Sequence, residues 1–263
     1  MADNTALSIS AVTKRFGGVI ATDNVSFDVP AGSRMALIGP NGAGKTSLFN
    51  LISGVYSVDS GVILLEGKPI QNMPPRRRVS AGLARSFQNI RLMPHLSVVE
   101  NVMLGQHVRV KGARAALAPL AWQRGNKWRR LAESSLRCAG IDVDPDADVS
   151  TLSYGIRKRI EVVRALMSQP RLLMLDEPAA GLNTRETAEL SSFLKTVARD
   201  GVTLLVVEHD MSFVHDLCER TVVLNFGQLI YQGPTAGVHD DEEVRAAYLG
   251  RRRVNTEGAS PVA

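Results

Sequence analysis

Cysteine is nearly absent from this sequence: Cys138 and Cys218 are the only two, far apart and in no C-x-x-C pair. That excludes a disulfide framework and gives no thiolate zinc site, so both are expected to be buried, reduced thiols. Also missing is any run near the ~20 consecutive apolar residues that cross a bilayer. Segments such as Arg34 to Ile38 and Leu172 to Leu175 are soon broken by charge or glycine. The first residues, Met1 to Leu7, lack the basic start, apolar stretch and small-residue cleavage site of a secretory signal. The expectation is a chain that stays in the cytosol and does not itself span a membrane. Aromatics make up 5% of the residues, and the basic residues form no aromatic-interleaved stripe. They bunch instead at Arg76 to Arg78, across Arg109 to Arg130, at Arg157 to Arg159 and at Arg251 to Arg253. Most are expected to be solvated faces.

What is present suits one globular unit with appendages: 263 residues, 44% of them hydrophobic. The net charge of +5 is compatible with nucleic acid, anionic lipid or a polyanionic ligand, and alone separates none of them.

Ser8 to Val29 reads as short strands around a Phe16-Gly17-Gly18 turn, with alternation over Val25 to Val29, hence an N-terminal antiparallel layer. Met35 to Ile38 predicts an apolar strand, followed by a glycine-rich turn and a helix over Lys45 to Ser53. Leu172 to Leu175 and Leu204 to Val207 predict buried parallel strands ending in acidic residues or histidine, where an open α/β sheet puts its ligands. Between the Lys45 to Ser53 helix and these two strands, about Leu96 to Asp148, the chain turns helical, clearest over Val98 to Leu104 and Lys127 to Ala139. Lys111 to Gly125 has no clean periodicity and is read as an irregular connection. The composition of 251–263 suits a disordered tail.

Gly39, Pro40, Asn41, Gly42, Ala43, Gly44, Lys45 and Thr46, with Ser47 following, fit G-x-x-x-x-G-K-[ST]. Glycines let backbone N–H groups close around phosphates, and the helix behind adds its positive end. Lys45 would reach the β- and γ-phosphates and Thr46 would coordinate Mg²⁺. A second element, the strand ending in Asp176 and Glu177, supplies two carboxylates. Asp176 is placed to hold Mg²⁺ through its water shell, and Glu177 to orient and polarise the attacking water. Ser153 and Gly155 precede an apolar-periodic stretch, Ile160 to Met167, which predicts a helix N-terminus capped by Ser153 and able to meet an anion.

The order of Leu152-Ser153-Tyr154-Gly155-Ile156, then Arg157 to Arg159, then Leu172 to Glu177 resembles the signature and Walker B of the ABC ATPases. That resemblance covers nearly the whole chain. It implies an α/β fold: a P-loop NTPase core with an N-terminal antiparallel β layer and an inserted α-helical subdomain. One ATPase domain would fill residues 1–250, with the subdomain at roughly 89–165. It further implies that Phe16 stacks on adenine, that Gln88 is a glutamine serving both catalysis and Mg²⁺, and that His209 faces the γ-phosphate. Ser153 and Gly155 would complete the opposite subunit's ATP site, and Ala180 to Asn183 would form the loop that addresses that subunit. Two departures stand out: Tyr154 and Ile156 replace the Gly and Gln of L-S-G-G-Q, and Asn183 stands where many members carry aspartate.

Leu83 to Leu92, Glu177 to Asn183, Glu208 to Met211 and Val244 to Gly250 are similar to the ATP-binding subunits of high-affinity branched-chain amino-acid importers. The resemblance implies a second ABC ATPase subunit, two membrane permeases, an extracytoplasmic solute-binding protein, and a place on the cytoplasmic face of the plasma membrane. Permease docking is expected over Asn89 to Met103, through Ile90, Leu92, Met93, Leu96 and Val98. Related systems for amides, urea or lipids share these motifs, and a soluble ABC protein acting on nucleic acid or ribosomes remains the rival, although nucleic acid is not the expected partner. A guanine-reading N-K-x-D is missing, since the only Asn-Lys pair, Asn126-Lys127, leads to Trp128 and Arg129.

Overall fold

Two long strands, β1 (Thr5–Phe16) and β2 (Val19–Pro30), pair antiparallel about Gly17 and Gly18, with Phe16 opposite Val19. The computed structural model describes residues 5–86, 90–106 and 127–249. Val25, Phe27 and Val29 turn inward while Ser26 and Asp28 face out, so the period of two read in the sequence is the burial pattern. β4 (Ser60–Leu65) and β5 (Lys68–Pro69) extend this antiparallel layer in the order β2-β1-β4-β5.

The second sheet holds β3 (Arg34–Ile38), β6 (Leu83–Arg85), β7 (Leu172–Asp176), β8 (Thr203–Val207), β9 (Arg220–Asn225) and β10 (Gln228–Pro234). Their order is β10-β9-β3-β8-β7-β6, parallel except for β10, which returns antiparallel to β9. Each central strand is apolar on both faces. Leu37, Met174 and Leu205 pack with Leu48, Phe49 and Ile52 of α1 (Lys45–Ser53) beneath the antiparallel layer. Ile38, Leu173, Leu175 and Val206 meet the helices on the other side. Burial of each such side chain contributes about 1.5–3 kcal/mol.

The opposite face carries α3 (Val98–Met103), α4 (Lys127–Cys138), α5 (Tyr154–Leu166), α6 (Thr184–Arg199) and α7 (Met211–Leu217). A short α2 (Pro75–Ser80) precedes β6, and α8 (Glu242–Leu249) follows β10. A capping box of Ser97 and Glu100 starts α3. Val99, Val102, Ala132, Leu136, Ile160 and Val163 bind α3, α4 and α5 into one apolar cluster continuous with β7 and α6. The expected irregular connection over Lys111 to Gly125 and the tail at 251–263 lie outside the described residues.

Three expectations change. Cys218 is buried, and its thiol is pushed up to about 12 by desolvation, but Cys138 is exposed at the end of α4. The basic bunches are not only solvated faces, because each of the three that reach described residues sends one member inward: Arg78, Arg129 and Lys158. Arg78 donates to the carbonyls of Leu51, Ile52, Gln71 and Met73, satisfying the C-terminal end of α1. Arg129 forms a two-pronged pair with Asp146 at 2.8 and 2.9 Å. Val98 is fully buried and belongs to the core, not to a docking surface.

Candidate active site

Strand order decides what meets at one edge. β3, β8 and β7 are neighbours, with Leu37 and Asp176 both paired to Val207, so the segments leaving their C-terminal ends converge. These segments are the loop 39–44, Glu208-His209, and Asp176-Glu177.

The loop needs glycine at its two ends. A Cβ on Gly39 would stand 2.1 Å from the Leu224 carbonyl oxygen, and one on Gly44 2.2 Å from that of Ala21. Gly44 is the N-cap of α1 with φ of 99° and no side-chain cap, which leaves the first N–H groups of the helix to meet an anion. Lys45 bends back so that its Nζ donates to the carbonyls of Gly39 (2.7 Å) and Pro40 (3.0 Å). Desolvation lowers the Lys45 pKa, opposed by the charges of Glu177 and Asp176. Thr46 is exposed beside it, Ser47 half-buried, and Asn41 and Gly42 line the open side of the loop while Ala43 is buried.

Asp176 ends β7 almost wholly buried, and its Oδ2 accepts from Arg85 Nη2 at 2.7 Å. Arg85 also donates to Asn50 Oδ1 and Ser53 Oγ and lies over the Phe49 ring, joining β6, α1 and β7. No cluster of three or more His, Cys, Asp or Glu that could hold a metal exists among the described residues. A single carboxylate and a hydroxyl, Asp176 and Thr46, form a hard-oxygen donor set that suits Mg²⁺ retaining its waters and phosphate ligands, and does not suit zinc.

Glu177 has φ of 47°, an uncommon conformation for a side-chain-bearing residue. Its N–H donates to Val207 O at 2.9 Å, and its carbonyl accepts from Ala180 N and, at 3.5 Å, from Lys158 Nζ. Its Oε1 stands 4.0 Å from Nδ1 of the exposed His209, an ion-pair distance longer than a hydrogen bond. Glu208, beside that histidine, is buried; desolvation raises its pKa, while N–H groups of Ala179 and His209 act against the shift.

The remaining expected residues divide. Phe16 is 41% exposed at the end of β1, edge-on to Tyr56 with centroids 5.0 Å apart. Ser153 is the N-cap of α5, accepting from Ile156 N at 3.4 Å. Gly155 packs on α6, where a Cβ would meet Glu186 Oε1 at 2.4 Å. Gly155 thus neighbours the first turn of α6 in its own chain. Gln88 lies outside the described residues. Sequence reasoning passed over Arg85, Lys158 and Glu208 as individual residues; the available signal was an ionisable side chain beside an apolar strand or on a helix's apolar side.

The family model of the ABC transporter matches residues 22–180. The high-affinity branched-chain amino acid transport ATP-binding protein BraF of Pseudomonas aeruginosa is 36% identical over 248 residues, covering 93% of this chain and 97% of that protein. LivG of Escherichia coli, described in the same words, is also 36% identical over 248 residues with the same coverage. Among solved structures, an ATP-binding cassette of an ABC transporter in its ADP conformation is 29% identical, with a TM-score of 0.81 over 94% of this chain and 99% of that one.

Proposed function

Since the chain belongs to the ABC transporter family, we propose that it is the ATP-hydrolysing subunit that energises import of branched-chain amino acids. The observation that carries the chemistry is the convergence of the 39–44 loop, Asp176-Glu177 and His209 at the ends of three adjacent strands.

In this reading the N–H groups of loop 39–44 and the start of α1 cradle the phosphates of ATP. Lys45 leaves its carbonyl partners for the β- and γ-phosphates, an exchange of acceptors that its bent-back position permits. Thr46 and Asp176 hold Mg²⁺, with Gln88 as a further ligand; when bound, the ion neutralises phosphate charge. Glu177 orients and polarises the attacking water, and His209 faces the γ-phosphate. Phe16, half-exposed beside Tyr56, offers its ring to adenine. Ser153 and Gly155, at an α5 N-terminus, serve the ATP held by a second ABC ATPase subunit.

Residues 1–250 act as one ATPase unit, with 89–165 as its inserted helical part. Among the described residues no helix is long and apolar enough to cross a membrane. In this reading two permease subunits hold the chain at the membrane's cytoplasmic face. A cavity of 380 Å³ between α2, β6 and α5, lined by Val79, Arg85, Leu104 and Arg164, lies beside the expected docking segment without including any of its residues. Met93 is 44% exposed, while Leu92 packs against the core, so the docking contact is narrower than the sequence implied. The solute-binding protein is coupled only indirectly.

Uptake of labelled leucine, isoleucine and valine at low concentration tests the reading in cells lacking this chain. Loss of uptake, restored by the wild-type chain and not by Lys45→Ala, supports it. Unchanged uptake in the deletion overturns the assigned substrate.

A further inference from the structure

Behind the two side chains assigned to hydrolysis stands a carboxylate to which no role has been given. Glu208 is 1% exposed, and its two oxygens are divided between two loops. Oε1 accepts from Ala179 N at 2.8 Å, and Oε2 from His209 N at 3.1 Å. Ala179 follows Glu177 in the turn after β7, and Glu177 N itself donates to Val207 O at 2.9 Å. That turn is therefore fastened to the end of β8 in two places, one through backbone and one through a side chain.

Lys158 of α5, 3% exposed, closes the arrangement from beneath, with Nζ directed at the Glu177 carbonyl. Burial lowers its pKa, opposed by Glu161, Glu208, Asp176 and Glu177 in that order. A buried carboxylate is costly and persists only where its lone pairs are satisfied. Here each oxygen meets a backbone donor from a different loop: one donor is the N–H of His209 itself, and the other stands two residues after Glu177.

We propose that Glu208 is a positioning residue for ATP hydrolysis, its carboxylate coupling the placement of Glu177 to that of His209 by accepting one N–H from each loop. The inference rests on the hydrolytic reading of Glu177 and His209 given above. Glu208 is buried behind both loops and acts through their backbones, so a shift of one loop is passed to the other through one rigid group.

The test is steady-state hydrolysis by the chain assembled with its second ATPase subunit and permeases, as a function of Mg-ATP concentration, for wild type, Glu208→Gln, Glu208→Asp and Glu177→Gln, with thermal unfolding of each variant chain. Glu208→Gln keeps the side-chain shape but turns one acceptor oxygen into an NH₂ group that confronts a backbone N–H. Its kcat should fall about tenfold, the cost of one buried hydrogen bond. The unfolding midpoint should drop by a few degrees, the scale of about 1–3 kcal/mol for a buried donor left without its acceptor, while KM for ATP should stay close to wild type, and Glu208→Asp, which retains two acceptors, should recover part of the rate. An unchanged kcat in Glu208→Gln overturns the proposal. So does a fall in kcat matched by a rise in KM for ATP with no recovery in Glu208→Asp, the mark of a structural role alone. Should Glu208→Gln fail to fold, Glu208→Asp is judged by the split between kcat and KM. If wild type does not hydrolyse ATP, or Glu177→Gln hydrolyses it at the wild-type rate, the hydrolytic reading itself fails; if Glu177→Gln is inactive and Glu208→Gln is not impaired, only this inference does.

Discussion

The ring of Tyr154 lies against Gly181: a Cβ on that glycine would stand 3.1 Å from Tyr154 Cε1. One residue on, Gly155 backs onto Glu186, whose carboxylate also accepts from Asn183 N in the capping box of α6. The start of α5 and the turn before α6 are thus one packed surface within a single chain. This gives a physical reading of two of the three residues that depart from the family pattern, Tyr154 and Asn183. Tyr154 fills the space above Gly181, and Asn183 serves as an N-cap, a position where Asn and Asp are near equals.

Gly181→Ala should destabilise the chain by about 1–2 kcal/mol, since φ at this position is 80° and an L side chain is disfavoured there. Tyr154→Ala in the same chain removes the ring but not the backbone strain, so it should recover only part of the loss. Urea unfolding of the two single variants and the double variant measures both contributions.

Met93→Asp should leave folding and ATP affinity unchanged and lower the amount of solute imported per ATP in the assembled transporter. The Met93 backbone is pinned on both sides by Asn101, at 2.7 and 3.0 Å, while its side chain remains exposed. Uptake and ATPase measured in the same vesicles check this. Leu92→Asp should also cost stability, because Leu92 packs against the core.

Arg78→Met should cost about 3 kcal/mol, because the carbonyls of Leu51 and Ile52 lose a buried cationic donor. The neighbours Arg76 and Arg77 are exposed, and the same change at either should stay within about 0.5 kcal/mol. Chemical denaturation of the three variants separates them.

That contrast marks where the sequence could be read and where it could not. The 39–44 loop, β3, β7 and β8 were legible because apolar runs ending in glycine or acid carry their own local signal. Which of three successive arginines turns inward was not, because Arg78 is chosen by the end of α1, a distant segment. Glu208 was hidden for a related reason. Its partners are backbone N–H groups, which every residue has, and only the adjacency of β7 and β8 brings Ala179 to it. Asn183 as a helix cap, by contrast, was readable from Asn followed three residues later by Glu186.

Acid should weaken the packing of α6 on α7. Hydrogen bonds from Lys195 (2.6 Å) and Ser191 (2.5 Å) hold the Asp216 carboxyl below its ordinary value. A depressed carboxylate contributes its stability above the unfolded value of 3.8 and loses it as pH falls through the folded-state pKa. The pair is partly exposed, so the contribution should not exceed about 1 kcal/mol. Asp216→Asn should flatten the fall in unfolding midpoint on acidification by that amount, and a profile unchanged from wild type would refute the assignment.

The central claim, that Glu177 activates water for hydrolysis beside the 39–44 loop, is tested most directly by phosphate release at saturating Mg-ATP from wild type and Glu177→Gln, with ATP affinity measured on the same samples. The expected result is undiminished ATP binding with release slowed by about a hundredfold or more, the scale of a lost general base. Release by Glu177→Gln at the wild-type rate would contradict the account.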